Sequence, residues 1–354
     1  MSAAALSLDA AVPERGVHVE LDVPAGRVVA LVGANGAGKS TALALASGTL
    51  RPAQGDVWVA GRQVAGPGAW VPPHRRQISL CAQEPLLLPH LDAAGNVAFG
   101  PRALGTGRAQ ARQVALARLE EVGAAHLAGR RPRELSGGQQ QRVAIARALA
   151  PEPRLVLLDE PLAALDVDAA AELRQVLRRA LRQAGRTAVV VTHSLLDVLA
   201  VADAVVVMED GHVVEHGATA QVLTRPRSGF AARLAGVNLL LGEHAGHGAV
   251  RVGGDVVHGP GDDGPTGGAA AAAFSPRAVA VHREAPGGSP RNVLAVRVTG
   301  LEQQGALVRV RGESASGNRL AADVTPASLA SLGLTVGEEV LFVVKAAEVE
   351  VYPA

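Results

Sequence analysis

The sequence predicts an α/β domain built on a largely parallel sheet with a helical insertion, followed by a small all-β, barrel-like domain. Short apolar runs alternate with segments of helical periodicity up to about residue 235. From about residue 237 the helical periodicity disappears, and residues 291–352 hold short alternating runs separated by turns with Gly and Asn. Because helices usually cross between parallel strands, the first pattern indicates a βα fold and the second indicates antiparallel strands.

These patterns divide the chain into three parts. We predict the α/β domain over residues 1–235, with its helical insertion at about 84–150. A linker and partial β module follow over 236–288, and the all-β domain occupies 289–354. The stretch 253–273 is rich in Gly, Ala, Asp and Pro, so we expect a flexible loop there.

The individual elements follow from apolar periodicity and from the turn residues that end each run. Strands of the α/β domain are predicted at 17–23, 28–32, 56–60, 78–82, 155–158, 187–191, 205–208 and 212–215. Helices are predicted at 41–47, within 102–127, at 143–150 and 168–184, and directly after Ser194. Strands of the all-β domain are predicted at 293–298, 307–310, 340–344 and 349–351.

Composition and charge exclude several classes of protein. The 354 residues carry a formal net charge of only +1, which does not favour a nucleic-acid-binding surface. Cys81 is the single cysteine, so an internal disulfide is excluded and a reducing compartment is indicated. No secretory signal is recognisable, and no apolar run reaches the ~18–20 residues that span a bilayer. Any association with a membrane is therefore expected to come through a partner.

A phosphate-binding loop is predicted between the strand 28–32 and the helix 41–47. The residues between them fit the spacing G-x-x-x-x-G-K-[ST], in which glycine N–H groups and a helix N-terminus surround a phosphate. The candidate binding residues are Gly33, Ala34, Asn35, Gly36, Ala37, Gly38, Lys39, Ser40 and Thr41. The alternative is a glycine turn that binds nothing, but strand, loop and helix occur in the order that phosphate binding requires.

Lys39 and Ser40 supply the chemistry that the loop backbone lacks. A lysine gives a compact positive charge to the β- and γ-phosphates, and a serine hydroxyl can coordinate Mg²⁺. Lys39 and Lys345 are the only lysines among 34 basic residues. A chain that otherwise uses arginine thus has a lysine where such a loop requires one.

Four polar residues follow predicted strands and complete a candidate site for hydrolysis. Asp159 can hold Mg²⁺, and Glu160 can accept a proton from the attacking water or orient it. His193 can donate a hydrogen bond to the γ-phosphate, and Gln83 can reach the metal or the water. Each residue alone would more often be structural, but together and in this order they indicate one site. Glu160 and His193 are therefore the catalytic candidates, and Ser40, Gln83 and Asp159 are the metal candidates.

The segment Leu135-Ser-Gly-Gly-Gln139 gives the most specific signal. With the motifs above it resembles the ATP-binding subunit of ABC transporters over about residues 1–235. The resemblance implies a P-loop NTPase fold of the ABC ATPase type, with ATP and Mg²⁺ as ligands. It also implies a head-to-tail dimer, in which the triphosphate lies between the loop of one copy and the signature segment of the other. In that arrangement Ser136, Gly137, Gly138 and Gln139 face the phosphates, and Asp166 belongs to the loop at the dimer seam.

Two further features bear on partners and on the nucleotide base. The segment from Pro85 to Phe99 resembles the importer version of the region after Gln83, which in the family docks a transmembrane permease. The family usually has an aromatic residue near the N-terminus that stacks on adenine, but no Phe, Tyr or Trp precedes Trp58. The residues that can cover the base instead are Arg15, Val17 and His18.

The C-terminal part carries the information about the transported substance. Residues 289–352 resemble a molybdate-binding (TOBE) domain, which would hold a tetrahedral oxyanion with hydroxyls, backbone N–H groups and a lysine. The matching residues are Ser289 to Asn292, Ala321 to Ser328, Leu332 to Leu334 and Lys345 to Val349. A family threonine is replaced by Ala347, so one hydroxyl is missing, and the domain could be purely structural.

The sequence therefore favours the ATPase subunit of a molybdate or tungstate importer. The resemblance implies a location at the cytoplasmic face of the plasma membrane, with a permease as direct partner and an external binding protein as indirect one. One alternative is the same ATPase in sulfate, ferric iron or polyamine uptake. Others are a soluble ABC ATPase acting on nucleic acid or ribosomes, and a non-catalytic oxyanion sensor. The chain has neither the basic insertion nor the tandem ATPase halves that the soluble type would have.

Overall fold

A computed structural model describes residues 4–260, 265–287 and 291–354. The chain divides into two compact units between Thr219 and Ala220. Residues 261–264 of the predicted loop, and Ser289 and Pro290 of the predicted oxyanion-binding match, lie outside the described residues. No helix in the described ranges combines the length and the apolar composition that crossing a bilayer requires.

Two sheets form the centre of the first unit. Its strands are β1 (Ala4–Val12), β2 (Val17–Pro24), β3 (Val28–Gly33), β4 (Gln54–Val59), β5 (Arg62–Gly66), β6 (Ala69–Trp70), β7 (Ile78–Cys81), β8 (Leu155–Asp159), β9 (Ala188–Val191), β10 (Ala204–Glu209) and β11 (His212–Ala218). One sheet has the order β11-β10-β3-β9-β8-β7, parallel except for β11. The other is antiparallel, with the order β2-β1-β4-β5-β6.

The parallel sheet is covered on both faces, which explains its unbroken apolar runs. Along β8, Leu155 and Leu157 pack in the cluster that includes the antiparallel sheet. Val156 and Leu158 point to the other face and pack in the cluster that includes the helices. This alternation is the two-residue period of a strand.

The helices of the first unit are α1 (Lys39–Ser47), α2 (Ala93–Ala103), α3 (Arg108–Glu121), α4 (Gly137–Leu149), α5 (Val167–Leu177) and α6 (Leu195–Val201). Helices α2, α3 and α4 share one apolar cluster through Val97, Leu119 and Val143, among others. The helical insertion expected from the sequence is thus present. Helix α4 begins at Gly137, directly after its N-cap Ser136. The helix expected at 168–184 is α5 followed by a π-helical turn over Arg178–Gln183.

The second unit contains β12 (Asn238–Gly246), β13 (Ala249–Val252), β14 (Asp255–His258), β15 (Ala269–Phe274), β16 (Ala280–His282), β17 (Asn292–Gln304), β18 (Leu307–Ser314), β19 (Arg319–Val324), β20 (Glu339–Val344) and β21 (Val349–Pro353). Its helices are α7 (Thr219–Thr224), α8 (Gly229–Ala235) and α9 (Pro326–Leu332). The strands form two sheets, β14-β13-β12-β15-β21 and β16-β20-β17-β18-β19, around one apolar cluster. The expectation of a C-terminal all-β fold is confirmed.

The prediction of a flexible loop over 253–273 is wrong for the residues of this stretch that the structure describes. Strand β14 occupies Asp255–His258, and β15 lies between β12 and β21 with hydrogen-bonded partners on both sides. Alanine has a low intrinsic preference for strands, so the run of five alanines in β15 gave no strand signal. Pairing with β12 and β21 determines the conformation of β15. Small alanine side chains fit there, because two strands and an apolar cluster surround the segment.

Candidate active site

The phosphate-binding loop leaves β3 at the centre of the parallel sheet and enters α1. Gly33 passes so close to the neighbouring strand that a Cβ there would collide with the carbonyl oxygen of Met208. Gly38 caps α1 with φ of 99°, a left-handed conformation that side chains rarely adopt. Between them Ala34, Asn35 and Gly36 are exposed. The loop backbone is therefore open to a ligand, and its two end glycines are needed for its path.

Lys39 lies folded back over this loop. Its Nζ donates hydrogen bonds to the carbonyl oxygens of Gly33 at 2.9 Å and Ala34 at 2.8 Å, and the side chain is buried. Burial lowers the pKa of the Lys39 ammonium, and the charges of Glu160 and Asp159 oppose this shift. An ammonium held by two neutral carbonyls in a partly dry site would gain from an anion such as a phosphate.

Ser40 and Thr41 occupy the first turn of α1. Ser40 is exposed, whereas Thr41 is buried, and its hydroxyl lies 3.5 Å from Nη1 of Arg15. Ala37, a residue of the loop itself, is buried. The Ser40 side chain is exposed, and its role as a metal ligand stays a prediction.

Asp159 ends β8 and Glu160 follows it, and β8 lies two strands away from β3, the strand that precedes the loop. Burial, together with the charge of Glu160, raises the pKa of Asp159, while the charge of Lys39 opposes the rise. Glu160 has φ of 44°, and its N–H donates to the carbonyl of Val191 at 3.1 Å. A left-handed glutamate is strained, and this one is held in place from the neighbouring strand. Both carboxylates act electrostatically on Lys39, so the structure brings these three predicted residues together.

His193 joins them from the end of β9. Its Nδ1 lies 3.7 Å from Oε2 of Glu160, and its side chain is 63% exposed. The Glu160 carboxylate is mostly covered, at 19% exposed. An exposed imidazole beside a covered carboxylate can approach a phosphate from solvent while the carboxylate holds the attacking water.

A buried network fixes the backbone on either side of His193. The Thr192 hydroxyl donates to Asp197 at 2.8 Å and accepts from the N–H of Ser194 at 3.1 Å. Nε of Arg174 donates to the other oxygen of Asp197 at 2.7 Å. From the sequence we predicted only a helix that begins directly after Ser194. No spacing rule connects Arg174, which lies on α5, to this segment.

Gln83 lies beyond Cys81, at the same carboxyl edge of the parallel sheet. It is exposed, and the structure gives its side chain no hydrogen bond to another described residue. The segment that follows is held to α4, because Arg147 donates to the carbonyl oxygens of Pro85 at 2.8 Å and Leu86 at 2.7 Å. Gln83 therefore lies at the same carboxyl edge of the parallel sheet as Asp159. The residues that follow Gln83 are hydrogen-bonded to α4 of the helical insertion.

The signature segment forms the N-terminus of α4. The Ser136 hydroxyl accepts from the Gln139 N–H, and the Gln139 side chain accepts from the Ser136 N–H at 3.0 Å. A Cβ built on Gly138 would lie 3.5 Å from the side chain of Leu165. The Asp166 carboxylate caps α5 by accepting from Ala169 N–H at 2.8 Å. Ser136 and Gly137 are exposed, so a helix N-terminus with two glycines faces solvent.

The candidate oxyanion residues of the second unit lie on two different elements. Thr325 caps α9, and its hydroxyl lies 2.8 Å from that of Ser328. Lys345 is exposed at the end of β20, before a 3-10 turn. The two hydroxyls are thus engaged with each other and with a helix end.

Cys81 gives a first testable prediction. Burial raises the pKa of its thiol to about 12, and its sulfur lies 3.9 Å from the side-chain nitrogen of Gln141 on α4. Because the thiolate is the reactive form, we expect iodoacetamide at pH 8 to modify the folded protein at least about 100-fold more slowly than the urea-unfolded chain. The rate should keep rising with pH without a plateau below about pH 12. Mass spectrometry of a time course measures this, and equal rates in both states would contradict it.

Known proteins share these features over nearly the full chain. The ABC transporter family matches residues 17–163, and the TOBE domain family matches residues 288–351. The chain is 48% identical to the molybdenum import ATP-binding protein ModC of Mycobacterium tuberculosis, over 99% of this chain and 97% of that protein. It is 34% identical to the molybdate/tungstate import ATP-binding protein WtpC of Pyrococcus horikoshii, over 95% of each chain.

A solved structure supports the fold. The ATP-binding cassette MJ0796, in a dimeric post-hydrolysis state bound to ADP and Pi, matches with a TM-score of 0.52 and 29% identity. The match covers 57% of this chain and 91% of that one. The fold class expected from the sequence is confirmed. By its motifs, its fold and its near full-length likeness to two import ATP-binding proteins, this chain belongs to the ATP-binding proteins of ABC transporters and carries a TOBE domain near its C-terminus.

Proposed function

We propose that this chain is the ATP-hydrolysing subunit of an importer for molybdate or tungstate. The observation that supports the substrate is the 48% identity, over 99% of this chain, to a protein named for molybdenum import, which exceeds the 37% identity over 88% of this chain to a ferric iron import protein of Streptomyces coelicolor. Both matches extend into the C-terminal unit, so the higher identity and not the coverage favours molybdenum. Likeness limited to the ATPase motifs would support the reaction but not the transported ion.

The triphosphate binds at the loop between β3 and α1. Lys39 exchanges its hydrogen bonds to the Gly33 and Ala34 carbonyls for hydrogen bonds to phosphate oxygens. The N–H groups of the loop bind the other phosphate oxygens of the triphosphate. Mg²⁺ fits the donor set, because Ser40, Gln83 and Asp159 offer hydroxyl, amide and carboxylate oxygens. A cation would also offset the burial and the neighbouring charge that raise the pKa of Asp159. Bound Mg²⁺ supplies neutralisation of charge on the phosphates.

Hydrolysis requires a water activated beside the γ-phosphate. The Glu160 carboxylate accepts a proton from this water, whose oxygen forms a bond to the γ-phosphorus while the bond to the β-γ bridging oxygen breaks. His193 donates a hydrogen bond to a γ-phosphate oxygen and so orients it. The products are ADP, inorganic phosphate and a proton. The strained Glu160 backbone and the network behind His193 hold both groups in position before ATP binds.

A second copy of the chain completes the site. The exposed N-terminus of α4, with Ser136, Gly137 and Gly138, offers a hydroxyl and free N–H groups to the phosphates on the partner's loop. Around Asp166 and His193 the large apolar side chains are exposed: Val167 at 83%, Leu196 at 60% and Leu199 at 53%. Apolar side chains in such positions favour burial against another protein surface. We therefore propose a head-to-tail dimer with ATP between the copies.

The permease docks at the helical insertion, and the chain works at the cytoplasmic face of the membrane. Leu86 and Phe99 are exposed there, at 64% and 54%. Because Arg147 of α4 holds the backbone of Pro85 and Leu86, a shift of α4 during dimer closure would move this segment. An external binding protein would deliver the oxyanion to the permease.

The proposal is tested with the chain, its permease and its binding protein purified from membranes and reconstituted in proteoliposomes. We expect binding protein loaded with molybdate or tungstate to stimulate ATP hydrolysis severalfold, and sulfate, ferric iron and spermidine to leave it at the basal rate. Stimulation by one of these three instead would overturn the substrate but keep the ATPase. Stimulation of the isolated chain by nucleic acid would favour the soluble class of ABC ATPase. Absence of any ATP hydrolysis would favour an oxyanion sensor.

A further inference from the structure

The turn between β1 and β2 borders the phosphate-binding loop. Nη1 of Arg15 lies 3.5 Å from the hydroxyl of Thr41, in the first turn of α1. A Cβ built on Gly38 would lie 3.2 Å from a methyl carbon of Val17, so the chain after the turn packs against the start of the same helix. Residues 13–17 therefore lie beside whatever the loop binds.

The two ends of a bound nucleotide can be assigned from the residues around the loop. In the proposed reaction Glu160 and His193 act at the γ-phosphate, so the γ-phosphate lies toward the ends of β8 and β9, where these two side chains are 3.7 Å apart. In such loops the N–H groups hold the α- and β-phosphates while the lysine reaches the β- and γ-phosphates. The α-phosphate and the base then extend past Ser40 and Thr41. Arg15 stands next to Thr41, at the base end.

Of the residues that the sequence left open for covering the base, two are committed elsewhere. Nε2 of His18 lies 2.9 Å from Oδ1 of Asp9, and its ring meets His212 edge-on. Val17 is buried, at 5% exposed, in the packing beneath the loop. Arg15 is exposed, and apart from Thr41 the described part of the chain gives its guanidinium no hydrogen-bond or carboxylate partner.

We propose that the Arg15 guanidinium stacks on the purine base of the bound nucleotide, in place of the aromatic ring that is missing from this region. A guanidinium is planar and weakly hydrated, and it binds the face of an aromatic ring by cation–π attraction. The guanidinium contacts the face of the base and not its hydrogen-bonding edge. Because all purines have such a face, the contact does not distinguish between them. ATP and GTP should therefore bind with similar affinity. This inference rests on the proposed function and specifies the nucleotide that the same site accepts.

The test uses the full-length chain with Arg15→Ala, Arg15→Lys and Arg15→Tyr. We measure the dissociation constants of Mg-ATP, Mg-GTP and Mg-tripolyphosphate, together with KM and kcat for ATP. Arg15→Ala should raise the dissociation constants and KM for both nucleotides by about 5- to 30-fold, with the effect on KM rather than kcat. Tripolyphosphate has no base, so its affinity should change by less than about twofold. Arg15→Tyr should restore nucleotide affinity, and Arg15→Lys should restore it only in part.

Other results of these measurements would contradict the base contact or the proposed function. Equal weakening of tripolyphosphate and ATP would show a phosphate contact or a loosened α1, and it would overturn base stacking. Unchanged nucleotide affinity in Arg15→Ala would overturn any role of this residue. Arg62→Ala, an exposed arginine on β5, is the matched control and should behave as wild type. If the wild-type chain does not hydrolyse ATP at all, the proposed function fails, and the affinity comparison still tests the base contact.

Discussion

Replacing Lys39 by alanine should abolish productive ATP binding, with kcat/KM for hydrolysis falling by at least about 100-fold. The Lys39 ammonium is buried, and its hydrogen bonds go to two loop carbonyls that a phosphate would replace. Its charge also offsets those of Asp159 and Glu160. Without it a polyanion would enter a site that already holds two carboxylates, so binding and reaction should both suffer.

Two variants sharpen this result. Lys39→Arg keeps the positive charge, but the planar guanidinium is too large for a position bounded by the Gly33 and Ala34 carbonyls, so it should also fail. Lys345→Ala removes the other lysine, which is exposed in the second unit, and should hydrolyse ATP as wild type does. Isothermal titration with Mg-ATP and a phosphate-release assay measure both steps. Near-normal hydrolysis by Lys39→Ala would remove this lysine from the phosphate site.

Much of the site could be predicted because its residues stand at positions that local rules define. Asp159, His193 and Gln83 each follow an apolar strand, and parallel strands bring their carboxyl ends to one edge. A helix was predicted shortly after the signature segment, and in the structure Ser136 caps α4 through reciprocal bonds with Gln139. Patterns of this kind need only the neighbouring residues in the chain.

The rest depends on contacts between distant segments. The ion pair of Arg174 with Asp197 joins two helices, and neither residue alone indicates the other. Strand β15 exists because β12 and β21 pair with it, although its alanines do not favour a strand. The choice among Arg15, Val17 and His18 as the residue proposed to cover the base required the partners of His18 and the burial of Val17.

The substitution Glu160→Gln should separate ATP binding from ATP hydrolysis. We expect kcat to fall by about 10²- to 10⁴-fold, because an amide of the same shape cannot accept a proton from water. ATP affinity should stay within about threefold of wild type. The Glu160 carboxylate attracts Mg²⁺ and repels the γ-phosphate, so its removal acts on the affinity for Mg-ATP in two opposing directions.

The same substitution should trap a dimer. If hydrolysis opens the pair of subunits, then ATP that is bound but not cleaved should hold the α4 N-terminus of one copy against the loop of the other. Size-exclusion chromatography with light scattering, in Mg-ATP, should show a dimer for Glu160→Gln and a monomer after exchange into ADP. Glu120→Gln, an exposed glutamate on α3, is the matched control and should remain active and show no ATP-trapped dimer.

The two measurements on Glu160→Gln, the rate of ATP hydrolysis and the oligomeric state in Mg-ATP, test two separate parts of the proposal. Hydrolysis at the wild-type rate would mean that another group accepts the proton. His193, at 3.7 Å from Glu160, would then be the first group to replace. A monomer in Mg-ATP, despite blocked hydrolysis and normal affinity, would mean that Val167, Leu196 and Leu199 are not buried by a second copy. Only loss of turnover together with an ATP-held dimer fits a triphosphate that lies between the phosphate-binding loop of one copy and the α4 N-terminus of the other and is cleaved through Glu160.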